Sequence, residues 1–235
     1  MSKTSPSPSE RRTFLTGLNA GAVSLAAVTI GGVAMAQEKT AAAPARWEPA
    51  RHEKDDWFEK LPGKHRSVFD ATTADGLGEA LAFTNNYMRI SRADYGLQGS
   101  DLAVVVVTRH RATAFAYNDA MWAKYGAIMG ARAKFEDPKS KQTPKINVYN
   151  SGDYGDLLAN RGRTLDSLAK DGVQFAVCSL ATRANATAIA AATGGTVDAI
   201  VAELTSNLVS NARMVPAGVI AVIRAQERGY ALVSA

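Results

Sequence analysis

Cys178 is the single cysteine of the 235-residue chain, and it stands directly after the apolar run Val173-Gln174-Phe175-Ala176-Val177. Two chemistries are open to a thiol placed there. Packed at the end of a core strand it is a small, inert apolar residue; facing positive charge it loses its proton and becomes a nucleophile. Two basic groupings also follow apolar runs: Arg109-His110-Arg111 comes after Leu102–Val107, and Arg224 comes after Gly218–Ile223. Arg183 lies in the helical segment that follows Cys178, and the positive end of such a helix favours a thiolate over a thiol. His110 is suited to relay a proton, or to bind an anion with Arg109 and Arg111, and equally to a local hydrogen bond at a strand end. Asn118 and Trp122 are four apart and share one helix face, as do Met121 and Tyr125. One pair would line a crevice while the other packs on a sheet.

These residues meet only if the elements between them bring them together. Strands are expected at His65–Asp70, Asp101–Val107, Ile146–Tyr149, Val173–Val177, Gly218–Ile223 and Tyr230–Val233. Between them fall helical patterns after Asp75-Gly76, at Thr113–Tyr125, Arg161–Lys170, Thr182–Ala192 and Val197–Leu208, with a helical turn at Arg224–Arg228. The unbroken Leu102–Val107 run reads as a strand buried on both faces, as in the middle of a parallel sheet. Strands alternating with helices predict a layered α/β fold, with a mostly parallel central sheet flanked by helices. In such a sheet ligands bind along the carboxyl ends of the strands. Arg109-His110-Arg111, Cys178 and Arg224 would then share that edge.

The N-terminal segment gives an address. Arg11-Arg12 precedes a stretch without charge from Thr13 to Gln37, which closes on Ala34-Met35-Ala36. Paired arginines, an apolar run and small residues at a cut site form a twin-arginine export signal over residues 1–36, cleaved after Ala36, and imply the export machinery as a partner and a periplasmic location. The alternative is an anchor that is retained. Residues 37–62 carry Ala, Pro and mixed charge, with Trp47, Trp57 and Phe58 as the large apolar groups. They read as a flexible arm ahead of a domain at 63–235, whose tryptophans can dock on that domain or on a neighbouring subunit.

Composition excludes several classes. The formal charge of +5 falls by two, to +3, when Lys3, Glu10, Arg11 and Arg12 leave with the signal, which is no nucleic-acid signature. Three histidines and one cysteine make no zinc spacing, so no metal is expected. No phosphate loop, no Gly-x-Gly-x-x-Gly and no Gly-x-Ser-x-Gly follows a strand, which leaves nucleotide hydrolysis, dinucleotide redox chemistry and serine hydrolysis without support and implies no cofactor.

Val104 through Trp122, Gly172 through Cys178 and Val215 through Val219 resemble the DsrE/DsrF-like family of small α/β proteins. The likeness spans essentially the whole domain. It implies a YchN-like fold assembled as a trimer or hexamer, and it matches Cys178 to the cysteine that accepts a sulfane sulfur as a persulfide in the sulfur-relay members. The expected function is therefore a sulfurtransferase-like carrier that takes sulfur from a sulfane-sulfur donor, with Arg109, His110 and Arg183 stabilising the anionic persulfide. The relay members with known partners are cytoplasmic, so those partners do not carry over to a chain with an export signal. The competing expectation is a non-catalytic module in which the Arg109–Arg111 edge and the Trp122 face hold a small anionic or aromatic ligand at a subunit interface, or an assembly protein whose cysteine is buried.

Overall fold

The computed structural model describes residues 48–235. The expected signal at 1–36, and the arm as far as Trp47, lie outside the described residues.

Five strands form one sheet: β1 (His65–Ala71), β2 (Leu102–Thr108), β3 (Gln174–Cys178), β4 (Ala212–Val215) and β5 (Ala231–Ser234). All pair in parallel, in the order β4-β3-β2-β1-β5. The layered α/β expectation is met, and the unbroken run Leu102–Val107 is the central strand, buried along its whole length.

The helices are α1 (Trp57–Lys60), α2 (Ala74–Tyr95), α3 (Asp119–Ala133), α4 (Leu165–Lys170), α5 (Ser179–Thr193), α6 (Val197–Ser206) and α7 (Gly218–Glu227). Connections from β1 to β2, β2 to β3 and β3 to β4 all advance one strand in the same direction, and their helices α2 to α6 bury Leu77, Trp122, Leu168, Ile189 and Leu204 against one face with Phe69, Val104, Val106 and Phe175. The return from β4 to β5 runs the opposite way, and α7 covers the other face, where Val68, Val105, Val107 and Ala176 pack on Ala221, Val222 and Ala225. Right-handed crossovers require this division, because a reversal of direction moves the crossover to the opposite side.

Three expected elements differ. Gly218–Ile223 is not a strand but the start of α7. Its buried positions Gly218, Ala221, Val222 and Ala225 follow helical spacing, while Val219, Ile220 and Ile223 are exposed; a run that is apolar at every position hides this period in the sequence. Ile146–Tyr149 is also not a strand: Val148–Asn150 is a 3₁₀ turn. The buried Asn147 amide donates to the Phe115 and Tyr117 carbonyls at 2.8 and 2.9 Å and accepts from Tyr149 N at 3.2 Å, which satisfies locally the backbone that a sheet would otherwise pair. Thr113–Tyr125 is two pieces, a 3₁₀ helix over His110–Ala116 and then α3. Between them Tyr117 is extended and bridges Leu208, and Asn118 caps α3. The short strand β4, with one buried residue in four, carries little apolar signal and is invisible to periodicity.

Ahead of β1, Trp57, Phe58 and Leu61 pack on the α7-side core. Phe58 is completely buried with the α7-side core, and Arg66 donates to the Phe58 and Leu61 carbonyls at 2.8 and 3.2 Å. Trp57 stacks on Phe58 and lies under the Arg213 guanidinium, 4.5 Å away, on the first part of β4. Among the described residues no helix is long and apolar enough to cross a membrane.

Candidate functional site

The strand register assembles the site. Thr108 of β2 pairs with Val177 of β3, so Arg109 and Cys178, the next residue of each, come level at the carboxyl edge. Cys178 itself pairs with Val215, the last residue of β4. Side chains alternate along a strand. Val68, Val107 and Ala176 belong to the α7-side core, which puts Asp70, Arg109 and Cys178, each two residues on, towards that same side.

This edge is also where the chain changes faces. β3 passes into α5 on one face of the sheet, and its neighbour β4 passes through Pro216-Ala217 into α7 on the other. Adjacent strands whose connections leave to opposite sides open a crevice at their carboxyl ends. Cys178 stands at that crevice as the N-cap residue of α5, with its side chain making no cap hydrogen bond. It is 7 % exposed, so only a small part of it meets solvent.

Arg109 is anchored rather than mobile. Its Nε and Nη2 donate to the two carboxylate oxygens of Asp70, both at 2.7 Å. That bidentate bond is the largest cause raising the Arg109 pKa; burial opposes it, and the negative charge of Asp70 adds to it. Both donors reach to β1, on the far side of β2 from Cys178. Charge-assisted pairing of this geometry holds a guanidinium in one orientation, where a free side chain would sweep many.

Behind the thiol a second hydrogen-bonded chain fixes the strand-to-helix turn. Tyr117 Oη donates to Thr182 Oγ1 at 2.8 Å, and Thr182 Oγ1 donates to the Cys178 carbonyl at 3.0 Å. Burial pushes the Tyr117 phenol up to about 12, and burial likewise raises that of Tyr149, whose hydroxyl donates to the Ala74 carbonyl at 2.7 Å. The folded state keeps these phenols neutral, whereas in the unfolded chain they ionise near 10.0. Their stabilisation is complete below pH 10 and declines as pH rises toward 12 and beyond. Denaturant titrations at stepped alkaline pH should show stability falling above pH 10, less steeply in a Tyr117→Phe variant; an identical decline in that variant would count against it.

The other expected residues have other places. His110 is exposed beside Arg109 with a left-handed backbone, φ 54°, a conformation uncommon outside glycine. Arg111 holds the turn through its backbone N–H, which donates to the Thr72 carbonyl at 3.0 Å. Asn118 is a helix cap: its side chain accepts from Met121 N and donates to Asn207 Oδ1 at 3.1 Å. Trp122 is 1 % exposed and packs at a tilt against Phe115 with ring centroids 4.9 Å apart, which makes it part of the core and not of the edge. Arg183 is drawn to Asp198 of α6 at 3.0 Å on the exposed side of α5. Arg224 does not end a strand at this edge; it lies late in α7, paired with Glu227 at 2.7 Å and near Asp55 at 3.5 Å.

Two residues of the site are not visible as such in the sequence. Asp70, an acid at the end of an expected strand, offers a weak signal. Gly218 offers none, because its role depends on α7 beginning where a strand is expected. A Cβ placed on Gly218 would lie 2.4 Å from the Cβ of Arg109, so the end of β2 and the start of α7 touch at backbone range.

The described residues thus form a layered parallel α/β domain with a cysteine at the topological switch point of its sheet. No family model matches the chain, and no curated protein matches it. A protein of unknown function from Methanobacterium thermoautotrophicum is similar in structure, with a TM-score of 0.37 and 18% identity over 73% of this chain and 100% of that one.

Proposed function

We propose that the protein is an exported, DsrE-like carrier that binds or transfers sulfane sulfur as a persulfide on Cys178. The observation that carries it is the position of that thiol: at the crevice between β3 and β4, at the uncapped start of α5, and level with an Arg109 held in place by Asp70. The start of α5 supplies backbone N–H groups suited to hold an anionic sulfur on Cys178.

The chemistry balances without an outside oxidant. The Cys178 thiolate attacks the outer sulfur of a donor such as thiosulfate or polysulfide, and the donor's S–S bond breaks. Its electron pair leaves with sulfite or with the shortened polysulfide, and a Cys178 persulfide remains. An acceptor thiolate then attacks the outer sulfur, carries it away as a new persulfide and returns Cys178 as thiolate. The chain has one cysteine, so the acceptor is another protein or a small thiol. With the export signal at residues 1–36, donor and acceptor are met in the periplasm. Exposed Val219, Ile220 and Ile223 on one side of α7 support a homo-oligomer as the working form.

The low exposure of Cys178 favours a second reading, an assembly or ligand-binding module with an inert thiol. Native mass spectrometry after incubation with polysulfide or thiosulfate separates them and reads the assembly mass at once. The expected result is one added sulfur per chain, lost on treatment with a reducing thiol and absent from Cys178→Ser. Loading of Cys178→Ser to the same extent as the parent, or no loading of either, would sink the carrier role.

A further inference from the structure

At the amino end of the sheet, opposite the Cys178 edge, the end of α2 and the start of β1 border a cavity of about 330 Å³ lined by His65, Tyr87, Ile90, Ser91, Tyr95 and Leu97. The chain makes it by turning back on itself. Helix α2 stops at Tyr95, Gly96 takes the left-handed conformation with φ 66°, and the Leu97 N–H donates to the Ser91 carbonyl at 3.0 Å. Side chains alternate along β1, so His65 and Ser67 face α2 together with Phe69, which belongs to the core on that side. The Phe69 and Tyr87 rings lie 6.5 Å apart, which sets Tyr87 over this stretch of the strand.

Two observations point to a ligand. Among the described residues the lining holds no Asp, Glu, Lys or Arg: its walls are Ile90, Leu97 and two tyrosines, with hydroxyl and imidazole groups as its polar side chains. Arg92, in the last turn of α2, is turned to Asp171 at 3.4 Å. The second observation is Ser67, 5 % exposed, beside the Tyr87 hydroxyl. Burial raises the Tyr87 pKa, and the Ser67 hydroxyl partly opposes it. The two hydroxyls are nevertheless not aligned as a hydrogen bond, and Ser67 Oγ is buried with no partner among the described residues. A hydroxyl left in that condition is costly, and a ligand oxygen that pairs with it removes the cost.

We propose that this cavity binds a small uncharged aromatic molecule bearing a hydroxyl, a phenol in chemical class, with its ring between Tyr87 and Tyr95 and its oxygen on Ser67 Oγ. An apolar pocket with a few convergent polar groups is the usual make-up of a small-molecule site, and tyrosine rings favour a flat aromatic partner. A hydroxyl suits the polar end because it can accept from one neighbouring hydroxyl and donate to the other. A charged ligand would give up its water with no opposite charge to meet it. The site shares no residue with the Cys178 edge, so it stands or falls independently of the sulfur chemistry.

The test is a two-dimensional amide NMR titration of the folded full chain with para-cresol, beside toluene, which lacks the oxygen, and para-hydroxybenzoate, which adds a charge. Para-cresol should give saturable shifts at Ser91, Tyr95, Gly96 and Leu97, with a dissociation constant of about 0.3–3 mM for so small a probe. Toluene and para-hydroxybenzoate should bind at least about 3-fold more weakly. Ser67→Ala should weaken para-cresol by about 3- to 10-fold while its melting temperature stays at or above the parent's, because the hydroxyl removed has no partner to lose. Tyr95→Ala changes an exposed side chain and should weaken binding without affecting folding. Absence of saturable shifts in the parent overturns the proposal; a dimer in native mass spectrometry that Tyr95→Glu dissociates would then assign the groove to a second copy of the chain. Parent affinity in both Ser67→Ala and Tyr95→Ala, or toluene binding as tightly as para-cresol, likewise overturns it, as does a marked loss of stability in Ser67→Ala.

Discussion

Trp122→Ala lowers folding stability by about 3–5 kcal/mol, the range for deleting a large aromatic from a close-packed core. Trp122 is among the largest fully buried side chains of the described residues, and it packs in the same cluster as Phe115, Tyr125 and Tyr149. Phe115 lies tilted against it and also meets Phe135 and Tyr149 edge-on, at 5.1 and 4.9 Å, so the cavity left by the indole undermines a connected aromatic group. Gly126 and Gly130 of α3 already hold the Thr143-Pro144 segment at backbone range, which limits how far the surroundings can collapse into the space. Trp122→Phe costs much less, roughly 1–1.5 kcal/mol, because the indole Nε1–H is buried without a hydrogen-bond partner and its loss breaks nothing. Urea denaturation of both variants checks the pair. A Trp122→Ala cost below about 1 kcal/mol would contradict the core placement and return Trp122 to the surface, where sequence periodicity allows it to line a crevice.

Phe58→Ala has an effect of the same order, about 3–5 kcal/mol, and a more local signature. The α7 face of the sheet is covered by α7 itself and by the segment carrying Trp57, Phe58 and Leu61. Phe58 meets the Tyr230 ring edge-on at 5.5 Å, and its carbonyl accepts from Tyr230 Oη at 2.6 Å and from Arg66 Nη1 at 2.8 Å. Truncating the ring removes the apolar anchor while leaving these two donors in place, so the segment loosens and Val68 and Val105 gain access to water. Limited proteolysis within residues 48–61 should accelerate in Phe58→Ala while the remaining domain resists, and a hydrophobic dye should bind the variant more strongly than the parent. Unchanged cleavage together with unchanged stability would show that the ring does not hold the segment.

The two results bear on how legible this chain is. The central strand could be read directly because Leu102–Val107 has no polar interruption, and burial on both faces is the condition that permits such a run. Helix α2 was equally plain, since Leu77, Ala80, Leu81, Thr84 and Met88 recur at helical spacing and all are buried. The run Gly218–Ile223 was not, because six consecutive branched or small apolar residues carry both periods at once, and the choice fell to packing: Ala221, Val222 and Ala225 find the α7-side core while Ile220 and Ile223 stay exposed. At Asn147 a single buried amide outweighed the apolar pattern of its neighbours.

By itself the sequence determined the layered α/β class, the place of Cys178 at the end of a strand, and Arg109 at the end of another, because these follow from local hydrophobic runs and from the turns that bound them. Only the tertiary structure decided which basic residues share an edge with the thiol. Arg109 does, through a register set by the β2–β3 ladder; Arg183 is taken up by Asp198 of α6 and Arg224 by Glu227 of its own helix. The clamp of Asp70 and the space at Gly218 belong to the same level. Both join segments far apart in the chain, and a contact of that kind has no period or spacing by which one strand or helix can announce it.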